Sequence, residues 1–162
     1  MTNMVAVVGP FFSWVKTTRI ATTVGDSLLL TAGLSSIHLI GFTLLMGGAL
    51  VSNLRLVGIL FPERPVLEVT GPAGRGIVLG LVVSVATGLL LFGPRAPAAV
   101  ENGAFQLKML LLVAAAGFHF TLHRNVTRRV PATPRLLRVT GALGLALWFG
   151  VALAACAFIL LE

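Results

Sequence analysis

The run LLLTAGLSSIHLIGFTLLMGGALVSNLRLVG, Leu28 to Gly58, decides the architecture. It holds no acidic residue, and its one arginine lies near its end. As a helix rising about 1.5 Å per residue it can cross a hydrocarbon core of about 30 Å and tilt or project beyond it. Three more apolar runs follow, at about 73–92, 105–124 and 139–161. Of 162 residues, 57% are hydrophobic and only 10% charged. A soluble domain of this size would need far more polar surface.

The sequence therefore predicts an all-α fold in one integral membrane domain, 1–162: a four-helix transmembrane bundle preceded by a short interfacial amphipathic helix. That helix is placed at about 10–24, where Phe11, Phe12, Trp14, Val15 and Ile20 mix with Lys16 and Arg19. Gly93 and Pro94 close the second span. Pro62, Pro65 and Pro72 punctuate the loop before it, and Pro131 and Pro134 the loop before the fourth. The opening MTNMVAVVGPFFSW lacks the positive region of a signal peptide, so the N-terminus is expected to be retained. With Cys156 as the only cysteine, no intrachain disulfide can form.

The 12 Lys+Arg against 5 Asp+Glu would suggest nucleic acid in a soluble chain. Here the cations cluster between apolar runs, so they report topology, and no nucleic-acid partner is expected. Arg55, Arg64, Arg75, Arg124, Arg128, Arg129, Arg135 and Arg138 fall on one side; Lys16, Arg19, Arg95 and Lys108 fall on the other. The positive-inside rule puts the first group in the cytoplasm and both termini outside, periplasmic in a bacterial inner membrane. Gly76, Gly80, Ser84 and Gly88 recur every four residues in span two, and Gly141, Gly144 and Gly150 lighten span four. Such small residues let helix backbones approach closely.

The chemistry rests on three histidines, all in or at the end of spans. Thr31, Ser35, His38, Phe42 and Leu45 share a face of span one; Lys108, Leu112, Ala115, His119 and His123 share a face of span three. Ionisable groups at such depths face the bundle and are usually functional. One reading is bis-histidine ligation of haem b between His38 and His119, with His123 as second choice. Counted from the outer helix ends, His119 lies about 6 Å deeper than His38 and His123 about 12 Å deeper. Arg19 and Lys108 would then pair with the haem propionates. A second reading takes His119 and His123, at i and i+4, as a metal pair. Copper is the softer possibility, with Met46, Met109 and Cys156 nearby in chemistry but not in spacing. A third is structural: hydrogen bonds across the bundle, with Lys108 snorkelling to the interface. No span carries a carboxylate, and there is no nucleophile elbow, phosphate loop or cysteine cluster, so an enzyme acting alone is not expected.

The order of features, from Trp14, Lys16 and Arg19 through IHLIGFTLLMGGALVSNLRLVG to FQLKMLLLVAAAGFHFTLHR, resembles a family of uncharacterised bacterial four-helix membrane proteins. The matching residues are His38-Leu-Ile-Gly41, Asn53-Leu-Arg55-Leu-Val-Gly58, Phe105 with Lys108, and the closing His123-Arg124; His119 looks like an addition. More distantly the arrangement is similar to cytochrome-b-type and copper-resistance membrane domains, whose helix histidines bind haem or copper. The resemblance implies the fold more than an activity.

The expected function is a small haem-b electron-transfer subunit linking the quinone pool to a periplasmic redox partner. The alternatives are a non-catalytic accessory subunit of a larger membrane complex, holding no cofactor, and copper or other metal handling. The lipid bilayer and other membrane-protein subunits are the expected partners.

Overall fold

A computed structural model describes residues 2–128 and 133–160, with side chains from residue 9 onward. Arg129, Pro131, Leu161 and Glu162 lie outside the described residues. Among the described residues all regular secondary structure is helical, and four helices are long and apolar enough to cross a membrane. This fits a multi-pass membrane protein.

The chain opens with α1, Thr2–Thr17, and α2, Arg19–Asp26. The single interfacial helix expected at 10–24 is thus two helices, broken at Thr18. Thr18 has extended backbone (φ −65°, ψ 147°) and its hydroxyl accepts from the Ala21 amide, so it caps a new helix instead of continuing the old one. Trp14 and Ile20 are exposed.

The first span is α3, Leu28–Val57, close to its expected bounds. Ser27 accepts from the Leu30 amide at its start. At its end Gly58 takes φ 93°, a left-handed conformation that glycine adopts without strain, and its N–H reaches the Leu54 and Arg55 carbonyls.

The second span, α4, runs Val66–Phe92 and so starts seven residues before the expected 73. Pro72 lies inside this helix, not in the loop. The amide it lacks would have bonded the Glu68 carbonyl within the first turns, where the neighbouring side chain is exposed and water can substitute. A 3₁₀ turn at Gly93–Arg95 leads into α5, Ala96–Glu101.

Asn102 then caps α6, Gly103–Phe118, accepting from the Ala104 amide at 2.9 Å and the Phe105 amide at 3.3 Å. Asn102→Ala is expected to cost about 1 kcal/mol, read as a lowered thermal unfolding midpoint in detergent. The third span continues through a π-helical turn at His119–His123 into α7, Arg124–Arg128. The fourth, α8, Pro134–Leu160, begins five residues before the expected 139 and takes in Arg135 and Arg138. Proline at the first helical position loses no hydrogen bond, so Pro134 starts the helix where a loop was expected.

Helix α3 packs along α4, and α8 packs against both α3 and α6. Leu45, Ala49, Ile77, Ala115, Trp148 and Val151 form the buried core between these four helices. The small-residue stripe of span two faces α3: a Cβ added to Gly80 would sit 2.6 Å from the Gly41 carbonyl oxygen. On α8, a Cβ on Gly141 would meet the Asn53 carbonyl oxygen at 2.7 Å, and one on Gly144 would run into the Asn53 side chain. Close backbone approach replaces the hydrophobic drive that lipid cannot supply. By contrast, α3 and α6 do not pack backbone to backbone, and the space between them is occupied in part by a cavity.

A candidate ligand cavity between the first three spans

The cavity has a volume of about 290 Å³ and draws most of its walls from α3, α4 and α6, with Phe12 of α1, Val100 of α5 and Val151 of α8 completing them. Phe42, Leu45, Leu81 and Leu112 make the greater part apolar; His38, Ser84 and Lys108 supply the polar groups. A mainly apolar pocket with a few converging polar groups is the usual form of a small-molecule site. At its outer end the rings of Phe12, Phe92, Phe105 and Phe158 form a chain of contacts with centroids 5.9, 5.5 and 5.5 Å apart.

His38 is oriented by α4. Its Nδ1 lies 3.0 Å from the Thr87 hydroxyl, whose own proton goes to the Val83 carbonyl at 2.7 Å. With that proton committed, Thr87 accepts and His38 Nδ1–H donates. The neutral ring then carries its lone pair on Nε2, at the far side from Thr87. Gly88 makes this fit possible, because a Cβ there would stand 3.2 Å from the imidazole.

Lys108 is half-buried in α6, its ammonium 5.9 Å from the centroid of Phe158, and it lines the same cavity as His38. Among the described residues no carboxylate pairs with it. Ser84 is 9% exposed, and its Oγ has no hydrogen-bond partner among the described residues. The site therefore holds the Lys108 ammonium and a lone pair on Nε2, and an oxygen-bearing head group can use both; the Ser84 hydroxyl is buried toward Gly41 of α3.

The remaining predicted residues go elsewhere. Arg19 is exposed at the start of α2 and does not line the cavity. His119 and His123 sit buried in the π-helical turn, their rings 4.7 Å apart, with His123 Nε2 3.2 Å from Ser52 Oγ. His119 Nδ1 is buried without a partner among the described residues. Ser52→Ala would strand the His123 nitrogen inside the bundle, an expected loss of about 1–3 kcal/mol in unfolding free energy measured by thermal or denaturant titration.

This placement sets the histidines of the haem reading apart. Lys108, and neither His119 nor His123, lines the cavity with His38. From Lys108 to His119 is eleven residues of helix, about 16 Å, and Ser52, the partner of His123, lies fourteen residues or about 21 Å beyond His38 on α3. Two imidazoles on one metal ion hold their nitrogens about 4 Å apart. The depth offsets counted from helix ends differ because Lys108, eleven residues before His119 in the third span, shares the cavity with His38. The donor set does not fit a bis-histidine haem. Nor do three His, Cys, Asp or Glu side chains converge on a metal position among the described residues.

Sequence reasoning missed Thr87, which lies one residue before the Gly88 of the small-residue stripe, and treated Ser84 only as a packing residue. Their signal was present: two hydroxyls three residues apart on a glycine-lined helix face.

Four helices long and apolar enough to cross a membrane fit a multi-pass helical membrane protein. The chain belongs to a family of unknown function (DUF6644), whose profile matches residues 11–160. No curated protein and no solved structure matches it.

Proposed function

We propose that the protein is a quinol-binding subunit of a membrane electron-transfer complex. The observation that carries this reading is the cavity itself: apolar walls within the membrane, with His38 and Lys108 as the groups that meet a ligand's head. A quinol reaches such a site from the lipid phase, and its flat ring suits the aromatic outer wall. One hydroxyl donates to His38 Nε2 while the Lys108 ammonium stabilises the same oxygen as the proton leaves. Loss of one proton to His38 and one electron to a redox centre on a partner subunit converts the quinol to the neutral semiquinone.

The test is equilibrium binding of a short-chain benzoquinol, and of the corresponding quinone, to the detergent-purified protein, followed by tryptophan quenching. Saturable binding with the quinol favoured supports the reading. Absence of saturable binding of either form would overturn it.

A further inference from the structure

A second concavity lies on the outer surface of the bundle between α3 and α4, at the end where the loop 58–65 joins them. It holds about 340 Å³ and is floored by Gly47, Gly76 and Pro72, with Phe61, Arg64 and Glu68 at its mouth. From Glu68 to Gly76 it descends eight residues of helix, about 12 Å, toward the hydrocarbon region.

The mouth is held in place by a specific set of bonds. Arg55, in the last turn of α3, donates through Nε to the Arg64 carbonyl at 3.1 Å and through Nη2 to the Pro62 carbonyl at 3.2 Å. The Arg64 amide returns to the Phe61 carbonyl at 3.0 Å. Phe61 is held at φ 49°, a left-handed conformation that costs a bulky residue energy and persists only when its surroundings enforce it. Its ring lies 5.5 Å below the Arg64 guanidinium. The groove's mouth thus presents one cation, Arg64, and, from the first turn of α4, one carboxylate, Glu68; the exposed Glu63 of the loop does not line it. Arg64 and Glu68 are both exposed and no ion pair joins them.

We infer that this groove binds a zwitterionic phospholipid whose head group carries a primary amine. Arg64 matches the phosphate, for which a guanidinium offers paired donors. Glu68 accepts from the ammonium. An acyl chain lies over Gly47 and Gly76, between the Leu44, Val51 and Val69 side chains. A head group with negative charge alone would meet Glu68 unfavourably, and a quaternary ammonium has no N–H to donate to it. Phospholipid is the occupant because the groove runs from a charged mouth at the helix ends into the apolar belt of the spans.

Native mass spectrometry of the delipidated full chain, re-exposed to phosphatidylethanolamine, phosphatidylglycerol or phosphatidylcholine, tests this. Phosphatidylethanolamine should be retained at least threefold over the other two. Glu68→Gln should abolish that preference while phospholipid retention persists, and Arg64→Ala should lower retention of all three. Gly47→Leu should block retention outright; a Cβ at Gly47 has no atom within 4 Å, so the larger side chain fills the groove without disturbing the helix pair. Equal retention by the wild type and Gly47→Leu, or a preference for phosphatidylglycerol, would overturn the proposal. Loss of this lipid with quinol binding intact separates it from the cavity reading.

Discussion

Gly80→Ala lowers the unfolding midpoint of the detergent-solubilised protein, while Gly47→Ala leaves it unchanged or raises it. Both substitutions add one methyl group to a helix, so their difference isolates what surrounds that methyl. At Gly80 the added carbon would sit 2.6 Å from the Gly41 carbonyl oxygen and 2.8 Å from the Leu45 Cα, and would also run into the Leu45 amide nitrogen. All three are backbone atoms of α3, so no side chain can swing aside, and α3 and α4 must separate along their shared face. Overpacking of this kind costs about 1–3 kcal/mol and occasionally more. In a membrane the loss is not offset elsewhere, because close contact between these helices is itself the attractive term. At Gly47 the space is open, and alanine's better helix propensity is worth about 0.5–1 kcal/mol in the opposite direction. An unchanged midpoint for Gly80→Ala, measured by intrinsic fluorescence or light scattering on heating, would contradict the close approach of α3 and α4.

Lys108→Met weakens binding of both quinol and quinone by about 10–100-fold, whereas His38→Leu weakens the quinol alone. A hydrogen bond to a charged group contributes about 1.5–3 kcal/mol, which corresponds to those factors in the dissociation constant. The ammonium donates to an oxygen whether that oxygen is a hydroxyl or a carbonyl, so its loss is felt by both forms. His38 differs because Thr87 has fixed its tautomer. With the Thr87 proton spent on Val83, Nε2 can accept but not donate, and a quinone carbonyl has nothing to give it. Methionine keeps the length and apolar stem of lysine, and leucine occupies the space of the imidazole, so neither change opens a large void. Thr87→Val, which frees the His38 tautomer, should erode the preference for quinol without removing binding. Equal losses for the two forms in His38→Leu would refute the assigned tautomer.

Hydropathy alone placed four spans, because crossing a bilayer demands a length and an apolar composition that a single chain displays directly. The places where it misplaced boundaries share a cause. Pro72 and Pro134 read as loop punctuation, yet both lie in helices: Pro134 at the first position, where no bond is lost, and Pro72 at the seventh residue of α4, where it leaves the Glu68 carbonyl without its helical partner. Thr18 read as part of one amphipathic helix, yet its hydroxyl caps a second. In each case local hydrogen-bonding detail overrode composition.

The histidines show the deeper limit. That His38, His119 and His123 lie within spans, and that each shares a face with small or polar neighbours, follows from the sequence and the 3.6-residue period. Which of them stand at the same depth does not, because hydropathy fixes a helix in the membrane only to within a turn or two. The relative slide of α3 and α6 is decided by how each packs on α8, through Asn53 against Gly141 and Gly144 and through Leu111 against Gly150. That packing sets Lys108, and neither His119 nor His123, in the cavity with His38, and it leaves between the two helices the cavity that neither helix shows alone.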